Sequence, residues 1–203
     1  MDPVRFISNR SSGKMGYAIA EAALEAGHEV TLISGPAAIP PPSAVRLVRI
    51  VTADELYAAV HQHVRDCDIL VMCAAVSDYK PVTTGSQKME KHEGSFTLQL
   101  TPTRDILASL PREDRSYFVV GFAAQTHDLE ANARRKLSAK NCDAIVANDV
   151  SGSGIGMETA DNEVTVYARD GFSKKISRAP KKIIAREILK IVFQLREKRL
   201  TKK

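Results

Sequence analysis

The sequence predicts an α/β fold with a Rossmann-like, mostly parallel sheet flanked by helices. Short β-branched runs alternate with amphipathic stretches of helical spacing along most of the chain, and this strand–helix–strand rhythm is typical of parallel sheets. Near the end, two strand-like runs follow each other closely, as in an antiparallel hairpin. A length of 203 residues fits one core, so we expect a single domain over residues 1–203.

The first half of the chain predicts two helices and three strands. Apolar residues recur at helical spacing after position 14, and Gly27 follows as a C-terminal stop. Thr52 precedes a second amphipathic stretch with acidic residues in its first turn, which indicates a helix N-cap. We expect helices at 14–26 and 52–66, and strands at 29–34, 45–50 and 68–76.

The second half predicts two more buried strands, a C-terminal antiparallel hairpin and two helices. The strands are expected at 118–124 and 143–149, the hairpin at 163–180, and the helices at 128–140 and 181–196. The segment 78–105 interrupts the rhythm, because it contains glycines and one run of period two, SFTLQL, but no helical pattern. Loops of this length in compact domains are usually lids or arms, so we predict a projecting flap at 78–105.

Composition and charge exclude several classes of protein. No apolar run reaches about 18 residues and the first residues lack the layout of a signal peptide, so we expect a cytoplasmic protein without membrane contact. The net charge of +5 is concentrated in lysines near the end and aromatic residues are few, so we expect no nucleic-acid partner. Cys67, Cys73 and Cys142 are too widely spaced to indicate a zinc site.

The stretch SNRSSGKMG, residues 8–16, contains a Gly-Lys pair where a loop turns into a helix. A P-loop is excluded, because Ser8 stands where its first glycine is required and Met15 follows Lys14. Two interpretations remain: a serine cap of an ordinary helix, or a loop whose free N–H groups and helix dipole attract phosphate or carboxylate. The residues that would form such a loop are Asn9, Arg10, Ser11, Ser12, Gly13 and Lys14.

Two predicted strands end in small residues, which indicates one shared ligand site. The motifs are CAAVSDYKP, residues 73–81, and GFAAQT, residues 121–126, and ligands of parallel sheets collect at the edge where strands end. Ala74 and Ala75 would let a flat ring or a ribose approach the backbone, and Asp78 could accept hydrogen bonds. The alternatives are that Asp78 caps a turn and that Phe122 is an ordinary core residue.

Four lysines could supply point charges to a polyphosphate ligand. Lys88 and Lys91 lie on the predicted flap, and Lys136 and Lys140 lie one helical turn apart, so that both face the same way. The ordinary interpretation of each is a solvated surface lysine. Their role therefore depends on whether a polyphosphate binds nearby.

These motifs, in this order, resemble those of the phosphopantothenoylcysteine synthetase family, in particular the synthetase half of the bacterial bifunctional flavoprotein of coenzyme A biosynthesis. The resemblance rests on DPVRFISNRSSGKMG, CAAVSDYKP, QKMEK, GFAAQT, the spaced lysines and AND, and it covers nearly the whole chain. It implies that 4'-phosphopantothenate is joined to L-cysteine with CTP, or with ATP as in eukaryotic members, and with Mg²⁺. The carboxylate would attack CTP to give an acyl-cytidylate and pyrophosphate, and the amine of cysteine would then displace CMP.

The resemblance also implies roles for single residues and a homodimer in which each partner lends its flap. Asn9 corresponds to an asparagine needed to form or process the acyl-cytidylate, Arg5 lies in the same motif, and Lys88 corresponds to the flap lysine that closes over the reaction. The implied substrate contacts are Asn9, Ser11, Ser12, Gly13 and Ala75. The implied nucleotide contacts are Met72, Cys73, Ala74, Asp78, Lys88, Arg104, Asp105, Ile106, Leu107, Phe122, Lys136 and Lys140.

The sequence departs from the family pattern in two places. Bacterial members usually have a strand and a Gly-rich turn of the type ITAGGT before the DPVR stretch, whereas this sequence starts at Met1, so we expect the domain to lack both. The flap motif is commonly Lys-x-Lys-Lys, and here Glu90 replaces one lysine, which weakens the attraction of phosphate. FMN is expected only if a decarboxylase half precedes the chain.

Two other classes of function remain open from the sequence. A Rossmann-like oxidoreductase would fit the alternation of strands and helices, but the chain lacks a Gly-x-Gly-x-x-Gly motif after a strand and an acidic partner about 20 residues later. A non-catalytic remnant that binds a nucleotide or a protein partner would fit the absence of the first strand. The sequence indicates no metal ligands.

Overall fold

The computed structural model describes residues 1–91, 93–125, 128–149 and 159–201, and every expected helix and strand is present in it, with ends that differ by a few residues. Its helices are α1 (Lys14–Glu25), α2 (Ala53–His63), α3 (Leu129–Ala139) and α4 (Lys181–Leu200), with a 3-10 turn (Val64–Asp66) after α2. Its strands are β1 (Thr31–Ser34), β2 (Arg46–Arg49), β3 (Ile69–Met72), β4 (Tyr79–Pro81), β5 (Leu100–Pro102), β6 (Phe118–Gln125), β7 (Ala144–Asp149), β8 (Asp161–Ala168) and β9 (Ser173–Pro180).

The central sheet has five strands in the order β3-β6-β7-β8-β9. β3, β6 and β7 are parallel neighbours, whereas β8 runs antiparallel to β7 and forms the predicted C-terminal hairpin with β9. β1 and β2 form a separate parallel pair. This arrangement confirms the predicted α/β class with a mostly parallel sheet flanked by helices.

Helices cover both faces of the central sheet. α1 and α4 pack on one face, where Ile184 and Ile188 of α4 are fully buried. α2 and α3 pack on the other face, through residues such as Val60 and Leu137. Because both faces are covered, β6 and β7 are almost continuously apolar. Within the described ranges, no helix is long and apolar enough to span a bilayer.

Two helix ends confirm the signals in the sequence. Thr52 and Glu55 form a capping box at the start of α2, in which the Glu55 amide donates to Thr52 Oγ1 at 3.1 Å. Gly27 follows α1 with a φ of 83°, and the amide of His28 donates to the carbonyl of Ala23. These ends determine where the chain leaves each helix.

The flap has strand pairing only at its base. β4 and β5 form a short antiparallel ladder, and between them residues 82–91 and 93–99 form neither helix nor strand. Of the run SFTLQL, only Leu100 lies in a strand. The predicted absence of a helix from 78–105 is confirmed for the described part of this segment.

A buried ionic network joins α4 to the amino end of the sheet. The carboxylate of Asp143, just before β7, accepts hydrogen bonds from Arg115 at 2.6 Å, from the Val119 amide at 2.8 Å and from Arg199 at 3.0 Å. The Arg115 side chain is only 2% exposed. Because Arg199 belongs to α4 and Val119 to β6, one carboxylate holds a helix and two strands together.

We expect Asp143→Asn to destabilise the fold by about 3 kcal/mol, because the substitution leaves the buried Arg115 guanidinium without its carboxylate. Glu130→Gln is the control, since it removes an exposed carboxylate that pairs with Arg134 on α3. Urea denaturation followed by circular dichroism measures both variants. Equal unfolding midpoints for Asp143→Asn and the parent chain would contradict this role of Asp143.

Candidate functional site

The loop singled out in the sequence leads directly into α1. Gly13 precedes the helix with a φ of 71°, a left-handed conformation that favours glycine. The hydroxyls of Ser11 and Ser12 accept hydrogen bonds from the amides of Gly13 and Lys14, each at 3.4 Å. The serine-cap interpretation is wrong, because Gly13 is the N-cap residue of α1 and has no side-chain cap hydrogen bond. The dipole of α1 favours an anion at this end.

Asn9 connects this loop to the end of β3. β3 ends at Met72, four residues before the strand end expected from the sequence, and residues 73–76 leave the sheet as a loop. Asn9 Nδ2 donates to the carbonyl oxygens of Val76 at 3.0 Å and of Ala75 at 3.4 Å. The first two motifs therefore form one site at the carboxyl edge of the sheet.

Cys73 lies at the first position after β3 and close to α1. A Cβ on Gly16 of α1 would lie 3.9 Å from the Cβ of Cys73, so helix and strand end are near van der Waals contact. Burial raises the pKa of the Cys73 thiol to about 12. Such a thiol is protonated at neutral pH and is a poor nucleophile. Cys73 therefore contributes packing and backbone to the site.

The segment after β5 lies beside the loop after β3. The amide of Thr103 donates to the Asp78 carbonyl at 2.9 Å, and the Thr103 hydroxyl donates to the Ser77 carbonyl at 2.7 Å. The Arg104 guanidinium lies over the ring of Tyr57, 3.9 Å from its centroid. These contacts bring two predicted nucleotide contacts, Asp78 and Arg104, to the same part of the site.

Asp54 of α2 pairs with two cations of this site. Its carboxylate forms an ion pair with Lys80 of β4 and accepts a hydrogen bond from Arg104 at 3.3 Å. The hydrogen bond from Lys80, together with that from Arg104, lowers the pKa of Asp54. Asp54 is therefore ionised at neutral pH and holds both cations at the base of the flap.

Lys136 and Lys140 lie close together at the end of α3. Lys140 pairs with Asp105, which also accepts a hydrogen bond from the amide of Ala108 at 3.1 Å. Burial lowers the pKa of the Lys136 ammonium and the charge of Lys140 lowers it further, whereas the charge of Asp78 acts in the opposite direction. The structure thus gathers two predicted lysines and two predicted aspartates.

The apolar residues predicted to contact a nucleotide are Met72, Ile106, Leu107 and Phe122. Met72 and Ile106 are buried, whereas Leu107 and Phe122 are half-buried. Phe122 packs against the core, which agrees with its ordinary interpretation. Ala74, by contrast, is exposed and leaves its backbone accessible. Thr126, the last residue of the GFAAQT motif, is not among the residues that the structure describes.

Asp2 joins the first residues of the chain to the flap. Its buried carboxylate accepts hydrogen bonds from the amides of Val4 at 2.9 Å, Arg5 at 2.8 Å and Met89 at 3.2 Å. Arg5 Nε donates to Asp2 at 2.8 Å, and Arg5 Nη2 donates to the Met89 carbonyl at 2.6 Å. Burial favours the protonated acid, but these hydrogen bonds lower the pKa of Asp2. The positions of Arg5 and Met89 therefore depend on one carboxylate.

Lys88 precedes Met89 on the flap and is exposed. Over the ranges that the structure covers, no hydrogen bond or ion pair joins Lys88 to another predicted site residue. The structure therefore groups Asn9 with the loop after β3, and Lys136 and Lys140 with Asp78 and Asp105, but it leaves Lys88 apart. Asp2 does hold Met89, the residue that follows Lys88 in the chain.

Three residues of this region were missed from the sequence. Asp2 contacts a residue 87 positions away, and no local pattern indicates such a contact. Asp54 was recognised only as an acidic residue in the first turn of a helix. Asn148 of β7 is 9% exposed, and its buried Oδ1 atom accepts no hydrogen bond from the described residues. The motif AND contained Asn148 without indicating a role for it.

Side chains of the described residues supply no preformed metal site. Groups of three or more His, Cys, Asp or Glu residues that could bind a metal ion are absent from residues 1–91, 93–125, 128–149 and 159–201.

Comparisons with known proteins identify relatives over nearly the whole chain. Residues 1–195 match the family described as DNA/pantothenate metabolism flavoprotein C-terminal domain. The chain is 45% identical over 199 residues to the coenzyme A biosynthesis bifunctional protein CoaBC of Vibrio vulnificus (strain CMCP6), covering 96% of this chain and 49% of that protein. It is 42% identical over 196 residues to the CoaBC protein of Bacillus subtilis (strain 168), covering 96% of this chain and 48% of that protein. The chain thus spans about half the length of these relatives.

Solved structures show the same fold. The crystal structure of the C-terminal domain of a coenzyme A biosynthesis bifunctional protein CoaBC matches with a TM-score of 0.80 and 41% identity, covering 97% of this chain and 89% of that one. A mutant of Cab2 in complex with phosphopantothenate-cysteine matches with a TM-score of 0.77 and 16% identity, covering 98% of this chain and 82% of that one. The second match supports the fold alone.

We expect Asp2→Asn to release the flap, because asparagine cannot form the ion pair with Arg5. It also accepts the hydrogen bond from the Met89 amide more weakly. Hydrogen exchange at residues 85–89 should accelerate roughly tenfold, as expected when a charged acceptor is lost. Asp170→Asn is the matched control, since that carboxylate accepts a local hydrogen bond from the Phe172 amide in the terminal hairpin. Unchanged exchange at residues 85–89 in Asp2→Asn would show that Asp2 does not hold the flap.

Proposed function

Because the chain belongs to the DNA/pantothenate metabolism flavoprotein C-terminal domain family, we propose that it is a phosphopantothenate–cysteine ligase of coenzyme A biosynthesis. The observation that carries the proposal is the single site at the carboxyl edge of the sheet. There Asn9 contacts the loop after β3, and cations gather beside Asp78. The bifunctional CoaBC proteins support a role in coenzyme A biosynthesis. Cab2, which has the same fold, binds phosphopantothenate-cysteine. We assign the ligase activity to residues 1–203 as one domain.

The proposed reaction has two steps. The carboxylate of 4'-phosphopantothenate attacks the α-phosphate of CTP, which forms an acyl-cytidylate and releases pyrophosphate. The amine of L-cysteine then attacks the acyl carbon, and CMP leaves with the electron pair of the broken bond. Both reactants of the first step are anions, so nearby cations must reduce their repulsion. The second step mainly requires that the activated acyl group is held beside the amine.

The two groups of residues in the site take different parts in this reaction. Loop residues Ser11, Ser12 and Gly13, with Asn9 and Ala75, face the acyl substrate, because Asn9 holds this loop against the end of β3. The second group faces CTP, with Arg104, Lys136 and Lys140 as cations and the backbone of residues 72–74 available to the base. Its further members are Asp78, Asp105, Ile106, Leu107 and Phe122. Arg5 and Lys88 approach from the flap side.

We also propose that CTP binds together with Mg²⁺. Mg²⁺ is usually held through substrate phosphates and water with only one or two carboxylates, so it needs no group of three protein ligands such as the described residues lack. Asp78 and Asp105 are the carboxylates that would approach it, and the ion would reduce the charge of the phosphates. FMN has no part in this proposal unless a decarboxylase half precedes the chain. The charge of these substrates favours a cytoplasmic location.

The proposed dimer has support from the exposed apolar side chains. On the flap, the exposed fractions of Phe96 and Val82 are 63% and 55%, and on the first residues of the chain those of Phe6 and Val4 are 77% and 59%. Asp2 joins the two segments that carry these side chains, through the amide of Met89. Exposed patches of this kind often mark protein–protein contacts. A second copy of the chain, bound through the flap, would cover them.

An assay of both half-reactions tests the proposed function. The chain with 4'-phosphopantothenate, CTP and Mg²⁺ is expected to release pyrophosphate, and CMP should appear once L-cysteine is added. Omitting phosphopantothenate controls for hydrolysis of CTP, and ATP in place of CTP tests the choice of nucleotide. A chain whose melting temperature rises with CTP but which releases no pyrophosphate would contradict the ligase and favour a binding module.

We expect Asn9→Asp to retain CTP binding but to form product about a hundredfold more slowly, because the substitution replaces a hydrogen-bond donor by a negative charge next to the acyl substrate. Gln194→Glu adds the same charge on the exposed side of α4 and should react at the parent rate. CTP binding is measured by calorimetry and product by chromatography. Equal rates for Asn9→Asp and the parent chain would remove Asn9 from the mechanism.

A further inference from the structure

The amino end of the central sheet contains a cavity of about 240 Å³, at the edge opposite to the candidate active site. Asp68 precedes β3 and Arg115 and Ser116 precede β6, and all three line this cavity. Arg196 and Arg199, near the end of α4, line it from the helix side. Three arginines therefore converge on one cavity that the proposed ligase reaction does not use.

Two arginines that line this cavity each have a buried donor without an acceptor among the described residues. The donors are the Nε–H groups of Arg115 and Arg196. The terminal nitrogens of Arg115 donate to the Pro111 carbonyl at 3.0 Å and to Asp143 at 2.6 Å, and Arg196 pairs with Asp68. Buried donors without an acceptor are unfavourable and rare in native proteins. Both residues line the cavity, so their guanidinium groups keep donor capacity that the protein itself does not use.

The charge balance at the cavity favours an anion. Three guanidinium groups face two carboxylates, Asp68 and Asp143, which leaves one positive charge in excess. Asp143 is committed to Arg115 and Arg199 and does not line the cavity. The side chain of Asp68 is 79% exposed, so water and salt screen its charge. The carboxylate nearest to the cavity is therefore a weak competitor for a bound anion.

We propose that this cavity is a second anion site, which binds a phosphate group as inorganic phosphate or as a phosphate monoester. Guanidinium groups recognise phosphate oxygens through pairs of N–H bonds, and the Ser116 hydroxyl supplies one more donor. A volume of about 240 Å³ is several times the roughly 30 Å³ of one water molecule, so a phosphate group fits. The site is independent of the proposed ligase function, because it lies at the other edge of the sheet.

A titration with inorganic phosphate tests the proposal. Proton–nitrogen NMR spectra monitor the arginine Nε–H resonances during the titration. These resonances report the cavity and not the carboxyl edge, where phosphate is also expected to bind. We expect the Arg115 and Arg196 signals to shift and to saturate with phosphate, but not with chloride at the same ionic strength. Shifts that are the same in chloride, or signals that do not move, would overturn the proposal. If glycerol phosphate binds more tightly than inorganic phosphate, the ligand is a phosphate monoester. If inorganic phosphate binds more tightly, the ligand is the free ion.

Three variants separate this site from general charge effects. Arg196→Gln should weaken phosphate binding, read from the Arg115 signal, by about tenfold or more, as expected for a charged hydrogen bond. Arg186→Gln, on the same helix and paired with Glu25, removes the same charge and should bind phosphate as the parent does. Asp68→Asn removes the competing carboxylate and should tighten binding about threefold. If Arg196→Gln binds phosphate as tightly as the parent chain, the proposal is wrong. If Arg196→Gln does not fold, unchanged or weaker phosphate binding by Asp68→Asn overturns the proposal.

Discussion

The parallel register of β3, β6 and β7 is the constraint on which the rest of the structure depends. Met72 of β3 pairs with Gly121 of β6, and Gly121 pairs with Ile145 of β7. A Cβ on Gly121 would lie 2.8 Å from Ile145 Cδ1 and 2.9 Å from Cys142 Sγ, so any other residue at this position would displace these two side chains. Because the three strands run the same way, the loop after β3 and the ends of β6 and β7 meet at one edge. The candidate site is the consequence of that edge.

Charge pairs keep this edge ordered in the free protein. Asp54 pairs with Lys80 and Arg104, and Asp105 pairs with Lys140, so cations that would otherwise repel each other are held close together. Every one of these pairs is partly exposed, which keeps the net energy of each pair small. A polyphosphate can therefore replace the carboxylates at low energetic cost. The same lysines and arginine are then already in place for it.

The sequence predicted the elements and the edge, but not the contacts that cross between them. Alternation of strands and helices, the cap at Thr52 and the stop at Gly27 are local signals, and the rule for parallel sheets brings their ends together. The apolar run through Val76 gave no sign that β3 ends at Met72, because that end depends on pairing with β6. The contact between Asp2 and Met89 likewise depends on how the flap folds back, and hydrophobic periodicity carries no information about it.

Charged side chains at the amino edge of the sheet stabilise the fold, whereas those at the carboxyl edge are available to a ligand. One physical reason accounts for the difference. Charges taken out of water must be fully paired, and at the amino edge Asp143 has three donors for that reason. At the carboxyl edge the charged side chains remain partly in water, so they tolerate a change of partner when a ligand binds. Asp2 combines both properties, because it is buried like Asp143 but lies beside the flap. It therefore fixes the flap at Met89, between β4 and β5, while most of the other described residues between these strands stay exposed.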